Sequence, residues 1–324
     1  ANGPRNAFAV VLDAAGNFIS LTTIPTQTTG ADIAVDASDN VYLLGDFEGT
    51  ATFGTLSLTS GSAGQSYVAK LSPTGTFLWA VAIGSPTHGG HASSLALDSA
   101  GNPYAAGSIE GPGVFGAATL PGKGVYVARL DPAGNVGWAS LVPQPTSLMP
   151  GWVGLTVDSA SHARLAGYFD VPFTVGSTSL TPTPSPTNSL KDAYLVDLNG
   201  AGGFGWALGG GGPNEDWPHD VAVDSAGNSY VVGDFTSQAA FGAVSLVGAA
   251  YDIFVLKVDA AGKPLWAIPA GGGSGNESSR RIALDSAGNL LVAGRFDSAA
   301  AFGPINKQAV GKHDLFVWKL KPSL

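Results

Sequence analysis

The side chains of this 324-residue chain best suited to chemistry fall in four short polar stretches. Ser85-Pro86-Thr87-His88-Gly89-Gly90-His91 carries two imidazoles. Trp152 follows, then Glu215-Asp216-Trp217-Pro218-His219, then Glu277 with Arg280 and Arg281. No cofactor is expected; imidazole and carboxylate suit zinc or a similar ion, so a divalent-metal site at His88, His91 and nearby acids is the alternative. The Gly-Gly spacer fixes no geometry, and solvated surface histidines are the competing reading. An acid and a base drawn from Glu215, Asp216 and Glu277 would serve glycoside hydrolysis. Trp152 and Trp217 offer indole faces on which the apolar side of a sugar can stack. Gly-x-Ser-x-Gly elbows, phosphate loops, EF-hand patterns and cysteine nucleophiles are all absent from the sequence.

What must position these residues is a repeat. Five segments align: IAVDASDNVYLLGDF from Ile33, LALDSAGNPYAAGSI from Leu95, LTVDSASHARLAGYF from Leu155, VAVDSAGNSYVVGDF from Val221 and IALDSAGNLLVAGRF from Ile282. Their aspartates Asp36, Asp98, Asp158, Asp224 and Asp285 are 62, 60, 66 and 61 residues apart, the spacing of one structural unit repeated. In each unit two apolar runs flank a five-residue turn, Asp-Ser-Ala-Gly-Asn in units two, four and five, where Asp closes the turn and Gly takes a positive φ, giving a hairpin. A third strand follows (YVAKLS, YVARLD, YLVDLN, FVLKVD, FVWKLK), and a fourth carries Trp79, Trp138, Trp206 or Trp266. Four strands per unit make an all-β propeller. Phe53, Phe115, Phe173, Phe241 and Phe302, in the longer connections between second and third strands, read as buried plugs, each worth about 2–3 kcal/mol of apolar burial. The polar stretches fall in the loops leading into first strands. Asp216 and Glu277 hold the same repeat position, which also suits loop capping.

The segment GGGGPNEDWPHDVAVDSAGNSYVVGDF, and later YDIFVLKVDAAGKPLW, resemble the SBBP-type propeller repeats of exported bacterial proteins, and more distantly NHL-type propellers. The resemblance implies a secreted or cell-surface setting and supplies no catalytic residues. Blade three departs most, with Asp-Ser-Ala-Ser-His at its turn.

The strand tally is five first, five second, six third and five fourth. Five blades are expected, with six as the alternative. The expected domain is a single propeller over 1–324, with repeats near 24–84, 85–142, 143–210, 211–272 and 273–324, and with 1–23 completing the last blade. Its fourth strand would be Asn17 to Thr23, which closes the ring and leaves one spare edge strand open to self-association. Two paired series support this reading: Asp32 and Asp46 in blade one, Asp220 and Asp234 in blade four, Arg281 and Arg295 in blade five. The arginines are expected to form a seam between acidic neighbours.

Composition bounds the partners. Net charge is −9, with 15 Lys plus Arg against 24 Asp plus Glu, which repels nucleic acid and anionic membranes. No stretch of eighteen apolar residues suits membrane insertion. Ala1-Asn2-Gly3-Pro4 has neither the basic nor the apolar region of a signal peptide, so any signal is expected to have been removed. The function classes left are an exported binding module, lectin-like in its use of tryptophan and glycan its expected ligand; a secreted hydrolase or lyase with a His and carboxylate site on the same loops; and a structural repeat of a surface assembly, where the partner is protein.

Overall fold

A computed structural model describes residues 5–143, 153–185, 191–272 and 275–321. The secondary structure of those residues is strand, turn and loop, without a helix. The fold is a β-propeller with five blades, as the repeat predicts, and the chain divides into two compact units, Ala1–Trp152 and Val153–Leu324.

The first unit holds an N-terminal hairpin and two blades. Blade one runs Thr28–Val35, Val41–Phe47, Gln65–Leu71 and Phe77–Ile83; blade two runs Gly90–Leu97, Pro103–Ile109, Gly124–Leu130 and Val136–Pro143. Each is an antiparallel sheet in chain order. The second unit holds blade three (Gly154–Val157, Ala163–Phe169, Asp192–Leu198, Phe204–Gly210), blade four (Asp216–Val223, Ser229–Phe241, Val244–Val258, Pro264–Ala270) and blade five (Ser278–Leu284, Leu290–Phe296, Asp314–Leu320). Blade five has three strands among the described residues.

The turns behave as their chemistry dictates. Asp98 Oδ1 accepts the N–H groups of Ala100 and Asn102, and the Asn102 side chain donates back to both oxygens. Gly101 sits at φ 77°. Blade three lacks the glycine, and Ser161 takes the left-handed position at φ 63°. Its charges are also exchanged. In blades one, two and five a third-strand cation meets the turn aspartate: Lys70 on Asp36 at 3.3 Å, Arg129 on Asp98 at 3.8 Å and Lys319 on Asp285 at 2.7 Å. Blade three has Asp197 on its third strand, and buried Arg164, on the second, reaches both Asp197 and Asp158.

The phenylalanine plugs are as expected. Phe53, Phe115, Phe173, Phe241 and Phe302 are 0–6 % exposed, and each packs on a third-strand aromatic ring, as Phe53 does on Tyr67 at 5.0 Å and Phe302 on Phe316 at 4.6 Å. The connections that carry them are not plain loops. They form a second small ribbon in blades one, two, three and five, for example Thr50–Phe53 with Leu56–Thr59, and in blade four they extend the second and third strands. Trp79 and Trp206 wedge between consecutive blades: Trp79 Nε1 donates to Pro132 O at 3.0 Å and Trp206 Nε1 to Ala260 O at 3.0 Å.

The segment Asn17 to Thr23, expected to close the ring, lies in a local hairpin among the described residues. The strand Phe18–Ile24 pairs with Ala7–Leu12 along its length, from Ala7 opposite Ile24 to Leu12 opposite Phe18. The hairpin packs Ala7, Ala9 and Ile24 against Val41, Leu43 and Phe47 of blade one, and Thr22 Oγ1 donates to Gly75 O at 2.7 Å. Joining adjacent strands by a tight turn costs little loop entropy, so the local pairing wins over a remote one.

Candidate functional site

The first strands of blades one, two, four and five each contain a β-bulge, at Ala31, Ser93, His219 and Arg280. A bulge leaves backbone N–H groups out of the ladder, and buried donors need acceptors. The preceding blade supplies them. Asp46 Oδ1 accepts Ala92 N–H at 2.8 Å and Asp32 Oδ2 accepts Leu95 N–H at 2.8 Å. In the same way Asp234 Oδ1 accepts Ser279 N–H at 2.8 Å and Asp220 Oδ2 accepts Ile282 N–H at 3.0 Å. The recurring second-strand glycine makes room for this arrangement, since a Cβ at Gly233 would collide with Trp217 O and the Phe254 ring.

The four aspartates therefore join blade to blade by receiving amides. Arg281 lies 3.9 Å from Asp220 with its side chain 54 % exposed. Arg295 is exposed and has no ion pair among the described residues. Asp234 Oδ2 is taken by His219 Nε2 at 2.8 Å.

Around Asp46 the first unit opens a cavity of about 470 Å³, lined by Arg5, Gln27, Asp46, Glu48, Gln65 and His91 among others. His91 Nδ1 is 3.5 Å from Asp46 Oδ2. Its pKa is raised above the usual imidazole value by the hydrogen bond with Asp46, which outweighs burial. The nearby His88 is exposed and hydrogen-bonds Thr87 at 2.8 Å. No group of three or more His, Asp or Glu among the described residues is disposed to hold a metal.

In the second unit Trp217 is half-buried. Tyr168 lies 4.9 Å from it, Lys191 Nζ stands 4.0 Å over its ring, and its Nε1 donates to Glu215 at 3.3 Å. Lys191 is also paired with Glu215 at 3.0 Å. The indole face is thus partly covered by a cation. Arg280 is exposed, and Trp152 lies outside the described residues.

Asp216 and Glu277 are buried, at 0 % and 1 % exposure. Each stands beside a second acid on the preceding third strand, Asp192 for the former and Asp252 for the latter. Burial pushes Asp216 up to about 8, with the charge of Asp192 adding to it. Burial and then the charge of Asp252 push Glu277 up to about 7.

Sequence reading brought out one partner of each acid pair and His91 of the cavity, but not Asp192, Asp252, Arg5, Gln27, Glu48 or Gln65. Aligning the third strands would have found two of these, because Asp192 and Asp252 hold equivalent positions, opposite Phe169 and Phe235.

The bulges, plugs and turn aspartates define an all-β repeat protein of the propeller class. Residues 208–234, the polar entry loop and first hairpin of blade four, match the family model of the SBBP β-propeller repeat. A stretch of 112 residues is 29 % identical to an uncharacterized WD repeat-containing protein, L264, of Acanthamoeba polyphaga mimivirus. The match covers 34 % of this chain and 8 % of that protein, so the chain spans under a tenth of that relative. Among solved structures, a protein of unknown function from Dyadobacter fermentans aligns over 99 % of this chain and 84 % of its own, with TM-score 0.46 and 9 % identity. One of unknown function from Bacteroides caccae aligns over 79 % and 69 %, with TM-score 0.39 and 11 % identity.

Proposed function

We propose that this chain is an exported binding module whose ligand is a carbohydrate, held in the cavity of the first unit. The observation that carries the reading is the lining of that cavity, in which Arg5, Gln27, Asp46, Glu48, Gln65 and His91 converge on about 470 Å³. Such a set offers both donors and acceptors to hydroxyl groups, in a volume suited to a small ligand. The repeat family and the WD-repeat relative support an interaction module in the coarser sense.

Screening the protein on a glycan array, with and without divalent metal, tests it. Expected is binding that Glu48→Gln and Gln65→Ala each weaken about tenfold, the scale of one lost polar contact of about 1.4 kcal/mol. Binding unaffected by both substitutions would remove the cavity from the reading.

The His91 and Asp46 pair favours a second reading, a hydrolase or lyase, because an imidazole with a raised pKa beside a cavity can deliver a proton near neutral pH. Product release from an array-positive glycan, lost in His91→Gln, would select it. A structural role in a surface assembly draws support from the last strand, where Leu315 and Val317 are 86 % and 74 % exposed.

A further inference from the structure

Two places in the second unit bury one carboxyl group against another at equivalent positions of successive blades. Asp192 and Asp216 converge on Gly211, where a Cβ would stand 2.6 Å from Asp192 Oδ1 and 2.7 Å from Asp216 Oδ2. Asp252 and Glu277 converge on Gly271, where a Cβ would collide with Asp252 Oδ1 and stand 2.7 Å from Glu277 Oε2. All four residues are at most 3 % exposed.

Loop capping uses some of their oxygens. Thr183 donates its N–H and hydroxyl to Asp192 Oδ2, and Gly212 N–H goes to Asp216 Oδ2 at 2.7 Å. Asp252 receives Ala249 N–H and Gly272 N–H, each at 2.6 Å. What remains is Asp192 Oδ1, Asp216 Oδ1 and both oxygens of Glu277, all buried without a hydrogen-bond partner among the described residues. A buried acceptor left in this way is costly, and two facing carboxylates repel each other unless something positive lies between them.

Blades one and two show that the acids are not needed to build the loop. There the equivalent positions are Gln65, opposite Phe47, and Gly90, opposite Ile109. Yet the loop makes the same bridge, Gly84 to Val114, that Gly211 makes to Ala240 and Gly271 to Ala301. The acid pairs are an addition to the scaffold, made twice.

We propose that each pair holds one hard divalent cation of the calcium kind. Asp192 and Asp216 ligate the first, and Asp252 and Glu277 the second. An all-oxygen set with two negative charges and no imidazole or sulfur matches that class, whose remaining positions are filled by main-chain carbonyls and water. The glycine at each centre leaves the space a side chain would fill. A cavity of about 380 Å³ lined by Asp252, Gly271 and Gly272 gives the second site access to solvent.

The test is calorimetry and thermal melting of the chelator-treated protein at pH 7.5, titrated with calcium chloride. Expected are two calcium ions bound per chain and a melting temperature that rises by several degrees. Asp216→Asn and Glu277→Gln should each reduce the stoichiometry to one without lowering the melting point of the metal-free protein, and the double variant should lose the response. No binding at millimolar calcium, or binding that survives the double variant, overturns the proposal. So does a melting temperature that falls between pH 5 and 8 equally with and without calcium, because a shared proton would then fill each pair.

Discussion

Buried acids stand at two kinds of blade junction in this protein, and they differ in what their oxygens do. At the bulges, Asp234 serves Ser279 N–H, Ser279 Oγ and His219 together. At the glycine cradles, Glu277 is as deeply buried and faces Asp252, and neither of its oxygens meets the geometry of a hydrogen bond from a donor among the described residues. An acid whose lone pairs are used by backbone amides is part of the framework, since removing it strands donors. An acid left unserved beside another acid destabilises the framework and marks a place where something else binds. The type of residue is the same in both cases, and only its partners separate structure from site.

The sharpest way to break this contrast is to remove one acid of each kind. Asp234→Ala should lower stability by about 2–4 kcal/mol, since it leaves a buried amide and hydroxyl without an acceptor, whereas Asp216→Asn in chelator should leave it unchanged or raise it. Urea melts of both variants decide the matter, and equal losses would erase the distinction.

A second, smaller effect comes from pH. With pKa values raised to about 8 and 7, Asp216 and Glu277 keep their protons in the folded chain and lose them on unfolding above the ordinary carboxylate range. Unfolding then releases protons, so in chelator stability should fall as pH rises from about 4 to 8. Asp216→Asn with Glu277→Gln should flatten that slope in melts taken across the range.

The smallest effect concerns the arginines. Arg281 is half exposed and Arg295 exposed, so replacing either by Ala should cost about 1 kcal/mol or less in denaturant melts. A loss of several kcal/mol would restore the arginine seam expected from the sequence.

Much of the local structure was legible because it depends on neighbours in the chain. Asp98 to Asn102 closes its turn with its own side chains, and the phenylalanine before each small glycine turn must be buried wherever the blade lies. The paired Asp32, Asp46, Asp220 and Asp234 were legible as a series, but not as amide acceptors. The bulges that create the need are set by sheet pairing, and a sequence does not display an unpaired N–H. The two cradles were half visible for the same reason. Asp216 and Glu277 stood out in the entry loops, while Asp192 and Asp252 sit about 25 residues earlier in the chain, on the preceding blade.

By itself the sequence determined the period, the five-blade architecture, the turns and the aromatic plugs, because all of these follow from side-chain type at short spacing. Tertiary structure alone decided where Phe18–Ile24 pairs, since an edge strand can join any free edge and hairpin proximity settles which. It also decided which acids are satisfied. Burial and hydrogen bonding are set by the neighbouring blade, and the same residue type is a cap in one register and buried with an unserved oxygen in another.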